Sequence, residues 1–176
     1  TVGAAIGALM PDNAIVAAET TTSGGPIFGY TRGGAPHDWL GLTGGSIGMA
    51  IPLAVGAAVA CPDRKVLCIQ SDGGGMYTNQ ALWTLAREGL DVVTVILSNR
   101  RYKILEHEYF KTGANTLGAK ADKLFDIGNP DIDWAHLAQG MGMEGHRCTE
   151  AEDFTAKLEA ALATDGPQLI DAVYSG

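Results

Sequence analysis

Lys65-Val66-Leu67-Cys68-Ile69-Gln70 runs directly into Ser71-Asp72-Gly73-Gly74-Gly75, and Val92-Val93-Thr94-Val95-Ile96-Leu97 runs directly into Ser98-Asn99. Both apolar runs have strand length, and the second is β-branched, uncharged and without alternation. Such a run needs apolar cover on both faces, as in a parallel sheet. Between the two, Asn79 to Glu88 reads as a helix with Leu82, Leu85 and Ala86 on one face, stopped by Gly89. Twenty-six residues separate Asp72 from Asn99. That is about one strand–helix–strand excursion, and a right-handed crossover lays the two following loops side by side on one sheet edge.

Outward from this unit the alternation continues. Ala14 to Ala18 is a short buried strand that ends at Glu19 and the polar loop Thr20 to Gly25, and Asp38 to Leu42 is a further short strand. Ile47 to Ala60 is small and apolar almost all round, as in a helix buried against its neighbours, with Pro52 near its first turn. Past Asn99, a helix begins at Tyr102, Lys111 to Pro130 reads as a long surface loop, and Asp133 to Gln139 is a helix. Gly145 to Cys148 is a strand. Glu150 to Ala163 is an amphipathic helix with Phe154, Leu158, Ala161 and Leu162 inward, capped by Thr149 in a capping box with Glu152. Gln168 to Tyr174 is the last strand. The pattern predicts a doubly wound, mostly parallel α/β sheet with helices on both faces, whose ligands sit beyond the carboxyl ends of the strands.

The composition excludes several classes. With 176 residues the chain suits one domain. A net charge of −8, from 12 basic and 20 acidic residues with no basic run, argues against a nucleic-acid groove. Leu40 to Pro62 carries no charge, but Gly, Ser, Thr and Pro dilute it, so a buried helix with its approach loop is expected rather than a membrane span. The three cysteines (Cys61, Cys68, Cys148) show no CxxC spacing, and the four histidines are scattered. Structural thiols in a reducing, cytoplasmic setting are expected.

The two strand ends carry the chemistry. A carboxylate (Asp72) and an amide oxygen (Asn99) converging on one point are hard donors suited to Mg²⁺ or Ca²⁺. Gly73, Gly74 and Gly75 precede a helix start, where bare N–H groups can meet phosphate oxygens. A tight turn at Asp72 to Gly75 and a helix cap at Asn99 would use the same residues.

Ser71-Asp72-Gly73 followed by Ser98-Asn99 resembles the thiamine-diphosphate signature, GDG and then NN some 24 to 27 residues on. Ser71 and Ser98 depart from it, at positions that do not ligate the metal in that family. The resemblance is to the diphosphate-binding domain of acetolactate-synthase-like enzymes, and it implies Asp72, Asn99 and the carbonyl of Arg101 as Mg²⁺ ligands. Thr43 to Pro52 resembles the loop of the acetolactate synthase, benzoylformate decarboxylase and pyruvate decarboxylase group that holds the cofactor's two rings. That likeness puts Ile47 as the apolar wedge between the rings, the Gly45 carbonyl on the 4′-amino group, and Ser46 beside them. Ordinary core packing would also suit Ile47. Thr22 and Ser23 fall where relatives touch the diphosphate, though a plain Ser/Thr turn fits them too. Tyr102 and Ile104 would line the site near the thiazolium. Glu106 and His107 suggest acid–base groups, but solvent-facing helical positions suit them better.

The same resemblance implies a 2-oxo acid substrate and an activating glutamate supplied by a separate pyrimidine-binding domain, since none of the eight glutamates here matches that motif. The chain, which opens on Thr1, is therefore expected to be a single thiamine-diphosphate domain (1–176) of a larger or split enzyme, working as a homodimer or tetramer. A non-catalytic binding module, or a member acting on acyl-CoA or aromatic 2-oxo acids, is the alternative. Thr43-Gly44 with Gly48 also resembles the TGxxxGxG loop of short-chain dehydrogenases, but Ala50 stands at the last glycine and Tyr102 is followed four residues on by Glu106 instead of lysine.

Overall fold

The computed structural model describes residues 1–174. Along them run α1 (Val2–Leu9), β1 (Ala14–Glu19), α2 (Gly25–Thr31), β2 (His37–Leu40), α3 (Ala50–Ala60), β3 (Val66–Ser71), α4 (Asp72–Gly75) and α5 (Ala81–Glu88). They continue with β4 (Val92–Ser98), α6 (Lys103–Lys111), α7 (Ala119–Phe125), α8 (Trp134–Gly140), β5 (Glu144–Cys148), α9 (Ala151–Leu162) and β6 (Gln168–Val173). Among the described residues the strands form one sheet in the order β2-β1-β3-β4-β6-β5, and every pair is parallel. The expected doubly wound α/β sheet is therefore present, with no antiparallel strand in it.

The unalternating strands are buried on both faces. Leu67 and Ile69 of β3, with Val93, Val95 and Leu97 of β4, pack in one core with residues of α1, α2 and α9. Val66, Cys68, Val92 and Ile96 pack in the other, with residues of α3, α5 and α8. From β1 the chain moves outward to β2, then crosses back to β3 on the other side. This reversal opens a crevice beyond the carboxyl ends of β1 and β3, where doubly wound sheets bind ligands. No helix among the described residues is long and apolar enough to cross a membrane.

Several local expectations need correction. Gly25–Thr31 is a helix immediately after the polar loop, and the sequence hides it because Gly25, Pro26 and Gly29 mask its period; Pro26 sits in its first turn, where proline is tolerated. Ala119–Phe125 is a helix inside the stretch read as loop. It has no buried residue, so it leaves no apolar stripe to detect. The Thr149 capping box does not form: Glu150 occupies the N-cap position with extended backbone, which sets Thr149 one residue too early. α3 is not buried all round. Ala50, Ile51, Ala54 and Ala58 face the core, while Val59 is 62% exposed.

Candidate active site

β3 delivers Asp72 to the sheet edge and β4 delivers Asn99 there, since paired residues Ser71 and Leu97 bring both strands to an end together. Asp72 is the first residue of α4 and only 3% exposed. Its Oδ1 accepts the N–H of Gly73 at 2.9 Å, and its Oδ2 accepts the N–H of Arg100 at 2.7 Å. The second bond joins the two loops directly, so the predicted convergence is real. Asn99 accepts the Arg101 N–H on Oδ1 at 2.9 Å and donates from Nδ2 to Ser23 Oγ at 3.1 Å, tying in the loop after β1. Between them Arg100 has φ of 59°, a left-handed conformation that costs a residue with a Cβ about 1–2 kcal/mol. The bond to Asp72 and one from Ile127 N–H to the Arg100 carbonyl, 3.0 Å, hold it there.

The space beside these donors is tight. A Cβ on Gly73 would lie 2.6 Å from the Tyr102 ring, and one on Gly74 would lie 2.4 Å from Glu19 Oε1. The Gly73–Gly75 segment is itself a turn of helix, not a loop ahead of one.

A cavity of about 230 Å³ opens over this edge. Asp72, Gly73, Gly74, Asn99, Arg101, Tyr102, Ile104, Thr22 and Ile47 all line it. Ile47 is 58% exposed, so core packing does not explain it. Ser23 meets the site only through Asn99, and Gly45 and Ser46 stand exposed outside the cavity wall. A larger cavity of about 470 Å³, lined by residues of α1, α2 and α9, touches neither Asp72 nor Asn99. Sequence reasoning missed Tyr77, Lys103, Leu105 and Glu19 as wall residues. Glu19 had a detectable signal, a carboxylate closing an apolar strand; it is 2% exposed and accepts the Ala50 N–H at 3.4 Å, joining β1 to the start of α3.

Glu106 is neither solvent-facing nor in the cavity wall. Arg101 Nε donates to its Oε2 at 2.9 Å and Lys103 Nζ to its Oε1 at 3.4 Å. Partial burial works to raise its carboxyl pKa, but these bonds outweigh burial and leave it below the usual range. A group so held is a poor proton donor at neutral pH. His107 is exposed.

The donor set suits a hard divalent cation. Burial pushes the Asp72 carboxyl above its ordinary pKa, and the Arg100 and Gly73 N–H groups bring it part of the way back. Among the described residues no Lys, Arg or His side chain reaches ion-pair distance of it. A nearly buried carboxylate without a counter-charge is costly, and a bound cation would remove that cost. Each oxygen of Asp72 and Asn99 that accepts one N–H keeps a second lone pair for such an ion.

Residues 26–172 match the family described as thiamine pyrophosphate enzyme, C-terminal TPP binding domain. The chain belongs to this family. A provisionally named acetolactate synthase large subunit, IlvX of Mycobacterium tuberculosis, is 52% identical over 169 residues, covering 96% of this chain and 33% of that protein. Benzoylformate decarboxylase of Pseudomonas aeruginosa is 32% identical, covering 94% of this chain and 30% of its own. The solved thiamine diphosphate-dependent 4-hydroxybenzoylformate decarboxylase of Rhodococcus jostii RHA1 aligns with a TM-score of 0.83 at 34% identity, covering 99% of this chain and 32% of that one. This thiamine-pyrophosphate-binding chain thus spans about a third of the length of the relatives it matches.

Proposed function

We propose that the chain is the diphosphate-anchoring domain of a thiamine-diphosphate-dependent decarboxylase or carboligase acting on a 2-oxo acid. Asp72, Asn99 and the Arg101 carbonyl hold Mg²⁺. Gly73, Gly74 and Thr22 face the diphosphate, Ser23 supports them by holding Asn99, and Ile47, flanked by Gly45 and Ser46, with Tyr102 and Ile104, shapes the space for the rings. The observation that carries this reading is the 2.7 Å bond from Arg100 N–H to Asp72, which draws both donor loops to one mouth of the cavity. When bound, the cofactor would supply a carbon acid whose conjugate base can add to a 2-oxo carbonyl, and an electron sink for the bond pair left behind when carbon dioxide departs.

The chain's own residues bind, orient and exclude water. Asp72 would hold the cation whose positive charge offsets that of the diphosphate, while Ile47 and Ile104 would keep water from the reacting carbon. The glutamate that activates the aminopyrimidine comes from a pyrimidine-binding domain outside this chain, in the same enzyme or a second subunit of a homodimer or tetramer. Three free thiols, Cys68 and Cys148 among them buried, suit a reducing cytoplasm.

Asp72→Ala removes the charged ligand and is expected to abolish Mg²⁺-dependent binding of thiamine diphosphate. Isothermal titration decides it: an unchanged affinity would refute the metal assignment.

A further inference from the structure

We propose that the Arg101 side chain, gripped by Glu106 of α6 and Asp122 of α7, is a positioning device that aims the Arg101 carbonyl at the cation. This rests on the reading of Asp72, Asn99 and that carbonyl as the metal's protein ligands.

The aim of the carbonyl is set by its peptide plane. The Arg101 carbonyl shares a planar trans peptide with the Tyr102 N–H, so the two point in opposite directions. The Tyr102 N–H donates to the Phe125 carbonyl at 2.8 Å, at the end of α7. The Arg101 carbonyl therefore faces away from α7, toward the side where Arg101's own N–H meets Asn99 Oδ1 at 2.9 Å. The bridge between Arg101 and Asp126 completes this arrangement, with Ile127 N–H on the Arg100 carbonyl at 3.0 Å. The two bonds that reach across, from Tyr102 to Phe125 and from Ile127 to Arg100, depend on α7 staying docked.

Little apolar packing docks it. α7 has no buried residue, and its aromatic contact is an edge-on pair, Tyr109 with Phe125, 5.8 Å between centroids. The guanidinium supplies what packing does not. Arg101 Nε donates to Glu106 Oε2 at 2.9 Å, and its Nη2 donates to Asp122 Oδ1 at 2.8 Å. One fork thus fastens α6 and α7 to the residue whose main chain is the ligand. Helices held this way belong to the least stable part of a fold, and ion binding and docking are then linked in both directions.

The test is a titration of the full chain with Mg²⁺ at saturating thiamine diphosphate, read by calorimetry, on wild type, Arg101→Met, Arg101→Lys, Asp122→Asn and Asp72→Ala. Arg101→Met keeps the carbonyl but loses the fork, and its Mg²⁺ affinity is expected to fall about tenfold. The half-exposed link to Asp122 is weaker, so Asp122→Asn is expected to lose about threefold. Arg101→Lys should recover part of the loss. Hydrogen exchange at the Tyr102 and Ile127 amides gives a second readout: Mg²⁺ with cofactor should slow it in wild type and less in Arg101→Met. If Arg101→Met and Asp122→Asn bind Mg²⁺ like wild type while Asp72→Ala does not, the positioning role is overturned and the metal site stands. If wild type shows no Mg²⁺-dependent binding, or Asp72→Ala matches it, both fall together.

Discussion

Asp171 of β6 shows what an unmatched charge does in this core. It is fully buried. Ser98 Oγ hydrogen-bonds its Oδ1, while Oδ2 has no hydrogen-bond partner among the described residues. Arg147 Nε lies 3.8 Å from Oδ2, too far for a hydrogen bond though close enough to attract it. Burial pushes its pKa from 3.8 up to about 6, against the pull of Ser98 and Arg147, and Asp131 and Asp133 push the same way as burial. The native state thus holds the proton more tightly than the unfolded chain. The stability this provides is complete below about pH 4 and is lost as pH rises through about 6. Asp171→Asn should therefore stabilise the chain at pH 8 by about 1–3 kcal/mol and change little at pH 4. Urea titrations at the two pH values check it, and a loss at pH 8 would show that the Arg147 attraction dominates. Cys148 is also pushed up, to about 12, chiefly by burial with Asp153 adding to it, which makes it an inert thiol at neutral pH.

At the scale of elements, the floor under the donor loop is built from the far side of the sheet's edge. Trp134 opens α8 and is fully buried, and a Cβ on Gly75 of α4 would lie 2.8 Å from its ring. Trp134→Ala should cost about 3–5 kcal/mol in a urea titration. Its Nε1 is buried without a partner among the described residues, so Trp134→Phe, which removes that N–H and keeps much of the volume, should cost less than about 1.5 kcal/mol. Equal losses for the two would mean the indole N–H has a partner after all. The elements legible in the sequence are those whose signal is burial: the unalternating β4, the striped α9, and the α5 helix closed by Gly89 in a left-handed conformation. Asp72 and Asn99 were legible because strand, donor and spacing repeat in one unit. α7 was not, since a helix held by Asp122 and main-chain bonds has no apolar period to read. Glu106 was misjudged for the same reason: nothing local says that Arg101, five residues earlier in the chain, would turn back to bind it.

At the scale of the whole molecule, the mouth of the cavity carries apolar groups in water. Ile47 is 58% exposed, Tyr77 60% and Leu105 50%. An apolar rim of this kind is what a partner surface covers. The chain spans about a third of its relatives' length, and the glutamate needed for turnover is expected on another domain. We expect the chain alone to bind thiamine diphosphate with Mg²⁺ but to release no carbon dioxide from a 2-oxo acid. Adding a matching pyrimidine-binding domain should restore release, and a carbon dioxide assay on chain and mixture decides it. Turnover by the chain alone would show that one of its own glutamates does the activating.

The strand order has one more consequence, for how the molecule is made. Of the six strands of this sheet β6 is synthesised last, yet it fills the interior slot between β4 and β5. A ribosome extends a chain at about 5–20 residues per second. For as long as it takes to add residues 99 to 173, the backbone of β4 waits with one side unpaired, and β5 emerges with no neighbour to join. The nascent chain can assemble its first four strands early, but the sheet is zipped shut only when Val173 has cleared the exit tunnel. Until then the bare flank of β4 is an unpaired strand edge, open to pairing with another chain.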